Sequence, residues 1–233
     1  FGSDAEAFRA PSLTVLFVGG THFVFNQFVA NPNLRPEFAE NKEVGLALKT
    51  DNVFTERDAF RAKASVFRND VEDLIELQVV GGVFGTSTNN NVTNARIEGI
   101  ELEAGYDSDT VFTSLGYAHI RGDDVDNDTP LASIPEDKIS LTAGYRWNAV
   151  GVEAGWRSIY YAGQNRVPAG TAAIPGGKTV HDIFVSWVPD EEDVDGLRLD
   201  FGVDNVFDKN YQRFLSSLRE SGRNVKVSAT YKF

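Results

Sequence analysis

The sequence predicts an all-β protein, an antiparallel transmembrane β-barrel, and three observations support this prediction. Apolar and polar residues alternate along segments of roughly 9–15 residues, as expected of strands with two different faces. Clusters of Gly, Asn and Asp separate these segments, in a chain with 21 Gly and 12% aromatic residues. The segments match the roughly 9–11 residues that a tilted strand needs to cross a membrane, and exceed the ~5–6 residues typical of globular sheets.

The C-terminal segment shows the alternation most clearly. Its apolar residues are Val225, Val227, Ala229, Tyr231 and Phe233, and the residues between them are polar. Successive side chains of a strand point to opposite faces, so one face is apolar and the other polar. Segments 139–147 and 152–160 follow the same pattern and carry aromatic residues near their ends, which are typical of the water interfaces of a membrane barrel. In a soluble sandwich the apolar face would form the core instead, so a soluble binding module is an open alternative.

The alternation and the turn residues together predict about ten strands. They are 1–10, 37–51, 58–73, 91–107, 110–122, 138–147, 150–163, 178–188, 197–207 and 223–233. The connections 11–36, 74–90, 123–137, 164–177 and 208–222 are long, whereas 52–57, 108–109, 148–149 and 189–196 are shorter. Long and short connections therefore lie on opposite rims, and this asymmetry predicts external loops and periplasmic turns, with Phe233 at the periplasmic rim.

Composition excludes several classes of function. The formal net charge of −12 argues against nucleic acid as a partner, because phosphate binding needs clustered Lys and Arg. With no Cys, the chain has no disulfide and no thiolate metal site. Its apolar runs are shorter than the ~20 residues that a spanning helix needs. No catalytic constellation is evident, so we predict that the protein is not an enzyme and has no metal site apart from a bound ligand.

Three segments resemble TonB-dependent outer-membrane receptors. The run Phe201–Tyr211 (FGVDNVFDKNY), followed by an alternating segment and a terminal Phe, resembles their last two strands. Ile97–Glu103 resembles another strand of that superfamily, as does Asn31–Glu37 together with the segment 43–45. These similarities cover nearly the whole chain.

This resemblance implies a barrel of about 22 strands with an N-terminal plug domain in its lumen. Because Phe1 lies inside a predicted strand, we expect residues 1–233 to be a single domain fragment, about the last ten strands, without the plug. The resemblance also implies a Gram-negative outer-membrane location and contact with outer-membrane lipid. It implies coupling to the TonB complex through the missing N-terminal part, and a C-terminal assembly signal, Tyr231 and Phe233, for the barrel assembly machinery.

A pair of short motifs resembles the signature of the haem and haemoglobin receptors. Phe8-Arg-Ala-Pro11 and Asn31-Pro-Asn-Leu34 flank a segment that contains His22. The resemblance implies that haem or a haem-protein is the transported ligand, with no permanent cofactor, and that His22 binds the haem iron, for which imidazole is a suitable ligand. The second axial ligand is expected on the plug. Further haem or loop contacts are predicted at Phe8, Arg9, Phe23, Phe25, Phe28, Asn31, Pro32, Asn33, Leu34 and Arg35.

Several of these residues have a second interpretation. Arg9 and Arg35 suit haem propionates, but ion pairs with nearby Asp and Glu explain them equally well. The phenylalanines suit a porphyrin face or the anchoring of the loop itself. Phe-Arg-Ala-Pro alone also occurs in siderophore receptors, so an iron-siderophore receptor is the main rival, and a plain diffusion barrel is a weaker one. Tyr160 and Tyr161 are interpreted as interface residues, and His119 and His181 as structural.

Overall fold

The computed structural model describes residues 1–21, 26–80, 85–169, 171, 175–189 and 196–232. In chain order its elements are β1 (Gly2–Arg9), α1 (Leu13–Phe17), β2 (Gly20–Thr21), β3 (Asn26–Val29), β4 (Glu37–Asp51), β5 (Ala59–Val80), β6 (Gly85–Asp107), β7 (Val111–Asp124), β8 (Thr129–Pro130), β9 (Lys138–Trp147), a 3₁₀ turn (Asn148–Val150), β10 (Val152–Tyr161), β11 (Lys178–Trp187), β12 (Leu197–Asp204) and β13 (Asn224–Tyr231).

Ten of these strands form one antiparallel meander in the order β1-β4-β5-β6-β7-β9-β10-β11-β12-β13. Each of them overlaps a strand predicted from the sequence, which confirms the all-β antiparallel class. Within the described residues β1 and β13 do not pair, so the sheet is open in this chain. No helix in the described ranges is long and apolar enough to cross a membrane. We call the edge with the long connections the loop end and the opposite edge the turn end.

The prediction that 74–90 is a long connection is wrong for most of these residues. β5 and β6 continue as one hairpin from the Leu74↔Val92 pair to the Val80↔Thr86 pair, leaving 81–84 between them. The Asn-rich run 89–91 resembles a loop because Asn is depleted in strands. Here the amides bond across the hairpin and beyond it: Asn90 Nδ2 donates to Gln78 Oε1 at 2.9 Å. Residues 11–36 and 123–137 also contain short strands, β2, β3 and β8, that the sequence does not predict.

The two faces of the sheet differ in chemistry. Strand pairing aligns Val44, Val66 and Ile100 on one face, and all three are exposed. The same face carries further exposed apolar residues, including Leu46, Leu141, Val185, Phe201, Val227 and Tyr231, and we call it the apolar face. The opposite, polar face carries ion pairs such as Arg146–Glu153 at 2.8 Å. The alternation predicted from the sequence therefore continues across the meander.

Phenylalanine rings on the polar face lie over glycines of the neighbouring strand. The pairs are Phe1 over Gly45, Phe67 over Gly99, Phe112 over Gly144 and Phe184 over Gly155. A Cβ atom at Gly144 would lie 2.1 Å from the Phe112 ring, and one at Gly155 would lie 2.3 Å from the Phe184 ring. Each ring therefore covers a position without a side chain, which is a known way to stabilise glycine in a strand.

A small apolar core closes the loop end of the polar face. Val71, Val92 and Ala95 of β5 and β6 pack against Leu131 and Ile134 of the connection after β7. Leu131 is 1% exposed, and its N–H donates to Gly122 O at 3.0 Å. Burial of these side chains fixes the connection 125–137 against the sheet. These contacts hold the connection after β7 against the loop end of β5 and β6.

Candidate functional site

Of the described residues between the two short motifs, those of β3 lie against the loop end of β6. β2 pairs with β3, and β3 runs parallel to β6, with Asn26 opposite Gly85 and Val29 opposite Thr88. Ser87 Oγ donates to Asn26 Oδ1 at 3.1 Å. Backbone and side-chain hydrogen bonds thus position the described residues on both sides of His22. His22, Phe23 and Phe25 themselves lie outside the described residues, as does Phe233.

The Asn31–Leu34 motif is attached to the Asn-rich part of β6. Asn31 Nδ2 donates to Asn89 O at 2.9 Å, and Asn31 Oδ1 accepts from the Asn33 N–H at 3.1 Å. The second contact closes a tight turn, a common role of asparagine. Leu34 is buried, whereas Pro32 and Asn33 are exposed. In this motif, therefore, Asn31 and Leu34 hold the backbone, and Pro32 and Asn33 face solvent.

Asn91 fixes the chain just after this motif. Its Oδ1 accepts from the Arg35 N–H at 2.9 Å, and its Nδ2 donates to Arg35 O at 3.0 Å and to Asp73 O at 2.7 Å. One side chain therefore joins the loop to both β6 and the strand before it. Sequence reasoning did not single out the run 89–91, although three consecutive amides beside a predicted ligand loop are a signal that could have been used.

Both candidate propionate-binding arginines have carboxylate partners within the chain. Arg9 forms an ion pair with Glu37, and Arg35 forms one with Asp73. Glu37 is nearly buried and also accepts the Ile75 N–H at 2.6 Å, so it joins three strands. Both arginines therefore form the ion pairs that the second interpretation expected, and a contact of either one with haem stays a prediction.

Phe8, the first residue of the first motif, lies on the apolar face. Its ring centroid is 5.4 Å from that of Phe38, its neighbour across the strand pair, and its side chain is 61% exposed. Phe8 thus points away from the polar face on which Arg9 lies. Phe28 in β3 is half-buried, which fits anchoring of the loop.

The two adjacent tyrosines at the loop end of β10 occupy different faces. Tyr160 lies on the apolar face and is 42% exposed, as an interface residue would be. Tyr161 lies on the polar face and stacks on Tyr211, with ring centroids 6.2 Å apart. Burial raises the pKa of Tyr211, so its phenol stays protonated near neutral pH. The Tyr161–Tyr211 pair was not predicted as a unit, because Tyr211 reaches it only through the fold.

A buried ion pair anchors the connection 205–223 beside these tyrosines. Lys178 Nζ lies 2.8 Å from Glu136 Oε1, and both side chains are about 5% exposed. Glu136 also accepts the Phe214 N–H at 3.0 Å. A buried pair of this kind requires both partners, because either charge left alone would be strongly destabilising. The pair therefore joins three loop-end segments at the polar face.

The remaining titratable candidates have structural partners. His119 Nδ1 lies 2.7 Å from Asp137 Oδ2, and His181 Nδ1 lies 2.7 Å from Ser158 Oγ. In the acidic segment 123–128, Asp124 bonds to Asn127 and Asp126 bonds to Asn94. Across the parts of the chain that the structure describes, no group of three or more His, Cys, Asp or Glu is arranged to hold a metal ion.

Comparison with known proteins identifies the same family along most of the chain. A family model described as "TonB dependent receptor-like, beta-barrel" matches residues 1–206. Heme/hemopexin utilization protein C of Haemophilus influenzae (strain 86-028NP) is 38% identical over 243 residues, covering 98% of this chain and 34% of that protein. The Hemin receptor of Yersinia pestis is 28% identical over 242 residues, covering 100% of this chain and 35% of that protein. The chain thus spans about a third of the length of these relatives.

Solved structures share the fold. The copper transporter OprC superposes with a TM-score of 0.81 at 23% identity, over 100% of this chain and 36% of that chain. The Serratia marcescens hemophore receptor HasR, solved as a double mutant with its hemophore HasA and heme, gives a TM-score of 0.74 at 22% identity, over 100% of this chain and 37% of that chain. At these identities the likeness concerns the fold alone, and it confirms the predicted barrel-type sheet.

Proposed function

Because the chain belongs to the TonB-dependent receptor-like β-barrel family, we propose that residues 1–233 are the C-terminal part, one domain, of the barrel of a haem receptor. The receptor binds haem or a haem-protein at its external loops and imports it with energy from the TonB complex. The similarity over 98% of the chain to a protein named for heme and hemopexin utilization carries this proposal. The assigned role is transport and not catalysis, with haem as a transported ligand.

The chemistry of the two faces supports placement in the outer membrane of a Gram-negative bacterium. The apolar face exposes Val44, Leu46, Leu141 and Val227 at 46–79% of their surface, as lipid-facing residues would. The polar face, with its ion pairs, then lines the lumen. In this orientation the loop end is external and Tyr231 lies at the other end. Tyr231 and Phe233 are the proposed signal for the barrel assembly machinery.

We place the haem contact at the loop between the two short motifs. The attachments of Asn31, Asn91 and β3 to β6 hold the residues that flank His22, and His22 is the proposed ligand of the haem iron. An imidazole on an external loop meets the cargo before it enters the barrel, and a second axial ligand from another part of the receptor completes the iron coordination. Exposed Pro32 and Asn33 border the same site.

Growth on defined iron sources tests this function. A siderophore-deficient Gram-negative host that makes its own haem and can release iron from imported haem expresses the full-length receptor, and haem, haemoglobin or a ferric siderophore is supplied as the only iron source. We expect haem-dependent growth that is lost when the host lacks TonB. Growth on the ferric siderophore but not on haem would contradict the proposal and favour a siderophore receptor. A host carrying the empty vector controls for other uptake routes.

A further inference from the structure

Two cations lie directly opposite each other on the polar face, close to the turn end. Strand pairing places Lys49 of β4 opposite Arg61 of β5, two residue pairs before the last pair of the hairpin. Both side chains are exposed, and we call them the basic pair. Like charges that face each other across two strands are destabilising, so this arrangement costs stability unless an anion lies between them.

The basic pair has no counterion among the residues that the structure describes. Neither side chain forms an ion pair or a hydrogen bond with any of them. The same two strands carry a second opposed pair, Lys42 and Arg68, on the apolar face. Those two cations are compensated, because they contact Glu40 at 2.6 Å and Asp70 at 2.8 Å respectively. A chain with a net charge of −12 thus leaves two adjacent cations to an anion from outside the described residues.

A cavity of about 610 Å³ lies beside the basic pair. Its lining also includes Lys63, Glu103, Gly105 and Ser114. Lys63 is 3.8 Å from Glu43 and lies opposite Glu103, so its charge is partly compensated. These two carboxylates lie on the side of Lys63 that faces away from the turn end. The turn-end part of the cavity therefore keeps the positive charge of the basic pair.

Gly105 gives the cavity an open floor. Strand pairing places Gly105 between Arg61 and Ser114. A Cβ atom at Gly105 would meet its nearest neighbour, Thr113 O, at 3.7 Å, whereas phenylalanine rings fill this space at four other glycines of the polar face. An uncovered glycine within a strand is typical of a site where a ligand approaches the backbone. This row of residues therefore combines a cation, an open surface and a hydroxyl.

The cavity lies far from the loop between the two short motifs. β4 begins at Glu37 near the loop end, and Lys49 lies roughly 40 Å farther along this strand, at about 3.3 Å per residue. In the proposed membrane placement, this part of the polar face lines the periplasmic end of the lumen. A cargo that enters at the external loops passes this part of the wall before it reaches the periplasm.

Haem has the chemistry that this part of the wall would recognise. Its ring is planar and apolar, and two propionate carboxylates extend from one edge of the ring. Two carboxylates suit two adjacent cations, and the guanidinium of Arg61 matches carboxylate geometry especially well. The volume of the cavity is within the range of sites that bind molecules of this size. The planar ring suits the open surface at Gly105.

We propose that the basic pair and the cavity at Gly105 form an exit subsite for haem. Lys49 and Arg61 bind the propionates as haem leaves the lumen toward the periplasm, and the ring lies against the wall at Gly105. The subsite rests on the haem import proposed above and adds a second contact, after the contact at the external loops.

Uptake of radiolabelled haem by cells that express the full-length receptor tests the subsite. Lys49→Gln combined with Arg61→Gln should lower TonB-dependent uptake about fivefold, the upper end of what one exposed ion pair contributes. The affinity of the resting receptor for haem, measured by Soret absorbance, should stay that of wild type. Lys42→Gln combined with Arg68→Gln is the matched control, since this opposed pair lies on the same strands but on the apolar face. The control should take up haem like wild type.

A stability measurement separates this role from a structural one. Because the like charges of the basic pair repel each other, the double variant should keep or raise the urea midpoint of the full-length receptor. A lower midpoint together with weaker haem binding by the resting receptor would show that the two cations support the fold, and would overturn the proposal.

Carbodiimide coupling in cells that import haem identifies the anion. The reagent joins a carboxylate to a contacting amine as an amide, with loss of water. Peptide mass spectrometry should therefore find haem attached to Lys49, and the yield should fall in Arg61→Gln. Lys42, on the opposite face of the same strand, should carry no haem.

Equal haem uptake by wild type and the double variant would overturn the proposal. Coupling of Lys49 to a carboxylate of the receptor itself, or no haem on Lys49, would also overturn it. Heat-modifiable migration on gels verifies folding; if the double variant fails to fold, Arg61→Gln alone decides, because that change breaks no described contact. Failure of the wild-type receptor to take up haem at all would instead contradict the proposed function, and the exit subsite with it.

Discussion

At the scale of single residues, the candidate site depends on side-chain amides more than on charges. Asn31 and Asn91 together make hydrogen bonds to Asn89, Asn33, Arg35 and Asp73, all near the proposed haem loop. An exposed ion pair contributes little, whereas a hydrogen bond that fixes a loop raises the fraction of molecules ready to bind. The amides are therefore the positioning residues of this site.

Asn91→Ala should weaken haem binding without removing an iron ligand. The change deletes three hydrogen bonds, and at a net value of about 0.5–1.5 kcal/mol each, partly screened by water, we expect about a tenfold loss of affinity. Haem titration of the full-length receptor measures it. Asn127→Ala is the control, because among the described residues the Asn127 side chain bonds only to Asp124, in the acidic segment. Equal losses in both variants would show that the attachment to β6 is unimportant.

The sequence identifies the chemistry of individual residues better than their partners. His22 and the two motifs stand out because they resemble the signature of the haem receptors, and imidazole is a suitable ligand for haem iron. The Arg9–Glu37 pair and the Tyr161–Tyr211 stack join residues far apart in the chain, and only the strand pairing brings them together. The local sequence pattern does not show which distant residues become neighbours. Arg9 and Arg35 were therefore open to two interpretations, a haem contact or an ion pair.

At the scale of elements, one buried carboxylate organises the turn between β4 and β5. Asp58 is 2% exposed and accepts N–H groups of Val53, Phe54 and Thr55 at 2.6–2.9 Å. It also accepts the Tyr106 hydroxyl at 2.9 Å. Burial alone would raise the pKa of Asp58, but these hydrogen bonds outweigh it and lower the pKa from 3.8 to about 2. The turn is thus held by an ionised Asp.

Asp58→Asn should destabilise the folded receptor in a pH-dependent way. Because the folded pKa is depressed, the stabilisation by the carboxylate is complete above pH 3.8 and is lost as the pH falls toward about 2. The difference in urea midpoint between wild type and variant should therefore be large at pH 7 and should shrink near pH 2. Asp109→Asn, at the next turn of the same rim, is the control. A difference that is constant with pH would contradict this role.

The Phe–Gly pairs lead to a second prediction for the strands. Gly144→Ala would place a Cβ 2.1 Å from the Phe112 ring and 2.7 Å from Ala154 O, so the backbone itself must shift. Overpacking of this kind costs about 1–3 kcal/mol. Gly105→Ala, also on the polar face, meets its nearest atom at 3.7 Å and should be nearly neutral. Folded yield and urea midpoint of the full-length receptor compare the two, and equal effects would contradict the account.

Strand boundaries could be predicted where apolar and polar residues alternate strongly. The prediction failed in the Asn-rich run, where this alternation is weak. All ten meander strands follow from apolar residues at every second position, because that period is dictated by the strand itself. In 85–91 the side chains are small or amidic, so nothing in the local pattern distinguishes a strand from a loop. Residues 74–80 do alternate and were assigned to the connection although their own pattern favours a strand. Their pairing with 86–92 decides the structure of both segments.

At the scale of the whole molecule, the alternation along each strand gives the sheet one apolar face and one polar face. In the proposed membrane placement, the apolar face meets lipid and the polar face lines the lumen. The long connections gather at the loop end, where we propose that haem binds.

The most direct test of the haem assignment is titration of the full-length receptor in detergent, followed by absorbance in the Soret region, for wild type and His22→Ala. We predict a Soret shift typical of histidine-ligated iron in wild type and a loss of affinity of at least about tenfold in the variant. His119→Ala, whose imidazole pairs with Asp137 on the apolar face, should bind haem like wild type. An unchanged spectrum and affinity in His22→Ala would contradict the account.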